Sequence, residues 1–196
     1  MAAYKDLQHQ SSDSSLECSI EPCGPGTTRQ KQLQPGEKRS FMETAGCASV
    51  YLEGTEYGMP IMFLEAENAE VTHDALSKSL QGITAVLREK TDFALCLDLR
   101  EMRRPAMSDS RTVINWMNEE ENSTLLGNHA MITCVMVANS WAGMAISTGT
   151  KIIQSLCNPA KPAAVVYTED ARDAFLKESI VKHVASKCDS RSTADE

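Results

Sequence analysis

The chain has 196 residues, 42% hydrophobic and 23% charged, proportions that suit one buried core plus a tail better than two domains. Its 19 Lys and Arg against 27 Asp and Glu give a formal charge of −8, which counts against the clustered positive face that a nucleic-acid backbone requires. Aromatics at 5% are too sparse for base-stacking platforms, and no apolar run reaches the ~20 residues that cross a bilayer.

Residues 1–46 read as a disordered tail, rich in Ser, Gln, Pro, Gly and Thr and poor in large apolar side chains. Such a segment buries too little surface to offset its ordering entropy. Its start shows neither a basic region leading into an apolar core nor an Arg-rich amphipathic pattern, and Ala2 stands where myristoylation needs glycine. The seven cysteines are odd in number and irregularly spaced, which argues against a disulfide framework. Cys18 and Cys23 are the closest pair, and no second pair answers them as a zinc site would demand. A reduced, cytoplasmic chain without metal or cofactor is the expectation.

From Ser49 the texture changes. SVYLE and IMFLEAEN are short β runs joined by the turn-like GTEYGMP, which predicts a hairpin. VTHDALSKSLQGITAVLREK reads as a helix: Thr72 caps it, Leu76, Leu80, Ile83 and Leu87 recur at helical spacing, and Arg88 and Lys90 close it. FALCLDL (93–99) is a continuous apolar run, as a strand buried on both faces should be. SDSRTVINWMNEEENSTLL reads as one helix opened by Ser108 or Asp109, with Val113, Trp116 and Met117 facing inward. HAMITCVMVAN (129–139) is the next buried strand, and NSWAGMAISTGTKIIQSLC the next helix, opened by Asn139 and Ser140. KPAAVVYT (161–168) is the last strand, and Thr168 caps the helix TEDARDAFLKESIVKHVASK. The order ββαβαβαβα predicts a single α/β domain over 47–188, its mixed, mostly parallel sheet opened by an antiparallel hairpin, with 189–196 a disordered end.

Chemical motifs are sparse. There is no GxxxxGK[ST], and no GxGxxG lies between a strand and a helix. Gly143 and Gly149 fall inside a predicted helix, where with Ala145 and Ser147 they form a small-residue face suited to close packing. His9, His73, His129 and His183 are scattered, with no GxSxG elbow or HExxH pair beside them. Glu119, Glu120 and Glu121 read as a solvated helix face. Asp98 ends the central strand, on the edge where α/β sheets place their ligands.

The LDLR strand end (97–100), the helix-opening Ser108-Asp109-Ser110, the run ITCVMVANSWAG and the closing VVYTEDARDAFL together resemble the STAS-like superfamily. The resemblance is to its SpoIIAA-like branch, the anti-sigma-factor-antagonist fold, and covers about two-thirds of the chain. It implies a module that is not an enzyme and acts through protein interaction or small-ligand sensing, and the favoured reading is a regulatory or scaffolding module that binds a protein partner through residues 100–111 and 139–149. The residues expected to take part are Asp98, Arg100, Ser108, Ser110, Asn139, Ser140, Trp141 and Gly143. In that family a serine in a loop reading like MDSSG is phosphorylated to break partner binding. Here Met107-Ser108-Asp109-Ser110 lies further from the strand, and Arg111 replaces the glycine. Ser108 and Ser110 as plain helix caps are the simpler reading. Two alternatives stay open: an apolar-ligand carrier of the related CRAL-TRIO kind, with methionines such as Met59 and Met62 lining a groove, and a small enzyme or nucleotide binder on a Rossmann- or flavodoxin-like sheet.

Overall fold

The computed structural model describes residues 33–41, 47–67, 71–102, 107–138 and 160–192. Alternation of apolar and polar residues makes Ala48–Glu53 a half-buried strand, β2, with Ala48, Val50 and Leu52 inward. It pairs antiparallel with β3 (Ile61–Ala66), the hairpin anticipated from the two β runs. Gly58 takes the left-handed φ of +81° in the connection, a conformation that costs glycine nothing. The sheet begins earlier than composition suggests, because Lys38–Ser40 forms β1 on the outer edge of β2. A short, Lys- and Arg-bearing strand at that position also blunts the edge against further pairing.

β4 (Phe93–Asp98), β5 (Ala130–Met136) and β6 (Ala163–Val166) follow, each parallel to its predecessor, and β4 is parallel to β3. The six strands stand in the order β1-β2-β3-β4-β5-β6. The fold is therefore α/β with one mixed, mostly parallel sheet, as the sequence pattern predicts. Parallel neighbours taken in chain order, joined by crossovers of one hand, carry their connecting helices on one face. α1 (His73–Leu87) and α3 (Glu120–His129) accordingly share a core with Val50, Leu52, Met62 and Leu95. Leu76, Leu80, Ile83 and Leu87 all turn inward, and Thr72 caps α1 by accepting from the Ala75 N–H. The opposite face packs Phe63, Cys96, Ile132, Cys134 and Met136 against Leu176 and Ile180 of α4 (Glu169–Ser192).

Four expectations need correction. The segment after β4 is two helices, α2 (Met107–Asn118) and α3, broken at Glu119. Glu119 is extended there, its carbonyl accepts from the Ser123 N–H, and Asn122 Nδ2 donates to the Trp116 carbonyl at 3.1 Å. Three consecutive glutamates gain from a fresh helix start, where a first turn favours negative charge. The break lets α3 turn Leu125 and Leu126 into the core. The helix also begins at Met107, so Ser108 and Asp109 lie inside its first turn rather than ahead of it. His129 ends α3 instead of opening β5, and β6 is four residues long instead of eight. Arg88 is the C-cap residue of α1, and its side chain reaches Glu121 of α3 at 3.1 Å.

Candidate functional site at the carboxyl ends of the parallel strands

β4, β5 and β6 point their carboxyl ends at the same rim as the first turn of α4. Asp98 closes β4 with its side chain only 13% exposed. Its Oδ1 accepts from the Arg100 backbone N–H at 3.1 Å, and the Arg100 guanidinium grips both carboxylate oxygens through Nε at 3.0 and 3.1 Å and Nη2 at 2.7 Å. Arg100 Nη2 also donates to Glu169 Oε1 at 3.0 Å, tying the strand end to α4. Burial works against the charge on Asp98, but the Arg100 hydrogen bonds and nearby Arg172 outweigh it and hold the carboxyl below the ordinary carboxylate range. Thr168 caps α4 as expected, accepting from the Ala171 N–H at 3.3 Å.

Arg172, one turn further along α4, lies inward of this pair. Its guanidinium sits 5.7 Å from the centre of the Phe63 ring, contacts Met136 Sδ at 3.7 Å and donates to Asp173 at 2.7 Å. Phe63 stacks on Tyr51 at 5.1 Å between centroids, and Tyr51 donates its hydroxyl to Glu65 at 2.6 Å. Burial and the Glu65 carboxylate push the Tyr51 phenol well up, so it stays neutral. Beneath this layer Cys96 and Cys134 face each other in register on adjacent strands, both fully buried.

Of the residues singled out from sequence, Asp98 and Arg100 meet in one network. Ser108 and Ser110 are exposed on the first turn of α2, where Ser108 donates to Asp109 at 3.4 Å. Asn139, Ser140, Trp141 and Gly143, with the helix expected over 139–157, lie outside the described residues. Sequence reasoning missed Glu169 and Arg172 as rim residues. The first-turn acid at Glu169 was visible as a helix signal, but nothing in the pattern tied it to β4. Among the described residues, no three His, Cys, Asp or Glu side chains gather as a metal site would need, and no helix is long and apolar enough to cross a membrane. No family model, curated protein or solved structure matches this sequence.

Proposed function

We propose that the chain is a non-catalytic regulatory or scaffolding module of the STAS-like, SpoIIAA-like kind. It recognises a protein partner through the carboxyl ends of its parallel strands and the first turns of α2 and α4. The observation that carries this reading is strand order. β3 to β6 succeed one another across the sheet in chain order, whereas doubly wound nucleotide-binding sheets hold their ligand where the order reverses. A sheet that runs one way has no such crevice in its topology, and its rim offers a surface instead. The rim's charges also suit recognition better than proton transfer, since Arg100 engages both oxygens of Asp98 and a carboxylate so held is a poor general base. The free thiols Cys47, Cys96 and Cys134 fit a reducing cytoplasm.

Ser108 and Ser110 are where added negative charge would alter this surface, because a helix's first turn accommodates phosphate. The test is affinity capture from native extract by the wild type, Ser110→Asp and Arg100→Glu. A specific protein retained by the wild type and weakened by both substitutions supports the reading. Equal recovery by all three chains sinks it.

A further inference from the structure

α4 is fastened over its face of the sheet at both ends. Glu169 ties its first turn to Arg100, and near its other end Lys187 Nζ binds Asp92 Oδ2 at 2.5 Å. The second Asp92 oxygen lies 3.1 Å from His129 Nδ1, so one carboxylate ahead of β4 joins α4 to the end of α3. One turn before Lys187 stands His183, whose Nε2 is buried without a hydrogen-bond partner. A buried polar atom left unpaired is destabilising and calls for a reason.

The charged groups facing His183 come from three elements. Lys187 is on its own helix, Asp92 precedes β4 and Lys161 precedes β6. Lys161 Nζ is anchored on the carbonyls of Gly127 and Ala130 at 2.6 and 3.0 Å, which fixes its charge at the foot of the sheet. Lys182 and Glu178 line the same groove of about 420 Å³ along α4, with Phe175 and Ser179. Both neighbouring carboxylates are engaged by lysines, Asp92 by Lys187 and Glu178 by Lys182 at 2.6 Å.

We infer that His183 is an acid-sensitive catch: protonating its imidazole loosens the second half of α4 from the sheet, while the first half stays docked through Glu169 and Arg172. An imidazolium there would place a proton on a buried nitrogen with no acceptor, beside two lysines. Burial first, then Lys187 and Lys161, hold the imidazole below its ordinary value of 6.5, against the pull of Asp92. The loosened form therefore takes up the proton first. The docking contribution is complete above about 6.5 and declines as the pH falls below it. Asp92 keeps its charge through this window. Burial opposes its ionisation, but Lys187 and His129 hold it below the usual 3.8.

Amide hydrogen exchange on the full chain at about pH 7.5 and about pH 5.5, corrected for intrinsic rates, tests the inference. Exchange over 180–192 is expected to quicken roughly threefold or more at the lower pH while 169–179 changes little, and His183→Gln and His183→Phe should abolish the difference. A uniform response along α4, or an acid response that survives both substitutions, overturns it. Because those variants disturb packing, NMR titration of the His183 ring in the wild type is a second readout. A ring that titrates at or above the free value also overturns the inference.

Discussion

Arg100 Nη2 and Glu169 Oε1 meet at 3.0 Å although 69 residues separate them in the chain. The contact crosses from the end of β4 to the start of α4, and it depends on Asp98 holding the guanidinium in place by three further bonds. Removing the central arginine should therefore cost more than removing the peripheral acid. Arg100→Ala leaves the half-buried Asp98 carboxylate without its cation, and a loss of about 1–3 kcal/mol is expected. Glu169 is 58% exposed, so Glu169→Gln should cost no more than about 1 kcal/mol. Urea unfolding of the two variants checks the order, and equal losses would count against a network centred on Arg100.

Acid sensitivity follows from the same geometry. Asp98 and Asp92 are both held below the ordinary 3.8 by their cationic partners despite burial. A carboxyl whose folded value is depressed stabilises the fold above its unfolded value, and that stability is lost as pH falls through the folded one. The unfolding midpoint should thus drop as pH is lowered through about 4 and below. In Arg100→Ala the Asp98 share of that slope should shrink, which thermal melts across the acid range would reveal. A variant with the wild-type slope would show that Arg100 is not what depresses Asp98.

The apolar patterning made most of this fold readable from the chain. Leu76, Leu80, Ile83 and Leu87 sit on one helical stripe, and FALCLD alternates Leu95 and Leu97 towards α1 with Ala94 and Cys96 towards α4. Period and burial are local properties, so a sequence displays them. β1 was hidden because three residues in a polar stretch have no period, and what makes them a strand is the open edge of β2. The break at Glu119 was hidden for a related reason: residues 107–129 carry helical spacing on both sides, and only the core decides where the axis turns. At the rim, Asp98 was legible from its place at a strand end, as the general rule for α/β sheets allows. Arg172 was not, since its partners Phe63 and Met136 are assembled from two distant strands.

Glycine positions separate backbone need from mere tolerance. A Cβ on Gly54 would lie 2.2 Å from the Gln34 carbonyl oxygen and 2.8 Å from that of Leu33. Here two chain segments exchange hydrogen bonds, Gly36 N–H to the Gly54 carbonyl and Gly54 N–H to the Glu37 carbonyl. Gly54→Ala must push them apart, and a loss of about 1–3 kcal/mol is expected. Gly127, in α3, has open space where its Cβ would be. Gly127→Ala should be neutral or stabilise by about 0.5–1 kcal/mol, because alanine loses less freedom in a helix. Chemical denaturation of both variants decides it, and losses of the same size would refute the close approach at Gly54.

Thiol chemistry gives the last test. Cys96 and Cys134 are fully buried, and reactivity demands both a thiolate and access. The hydrogen bond to Cys134 and then burial push the Cys96 thiol far up, so it offers neither. Cys47 is only partly buried, its Sγ 3.6 Å from Ser79 Oγ. Site-resolved alkylation of the native protein should modify Cys47 well before either core cysteine. Cys96 and Cys134 should then react together, at the rate at which the sheet opens, and mild denaturant should accelerate that rate in step with unfolding. Should Cys134 be alkylated as quickly as Cys47 in the native state, α4 does not seal that face of the sheet as the packing of Leu176 and Ile180 requires.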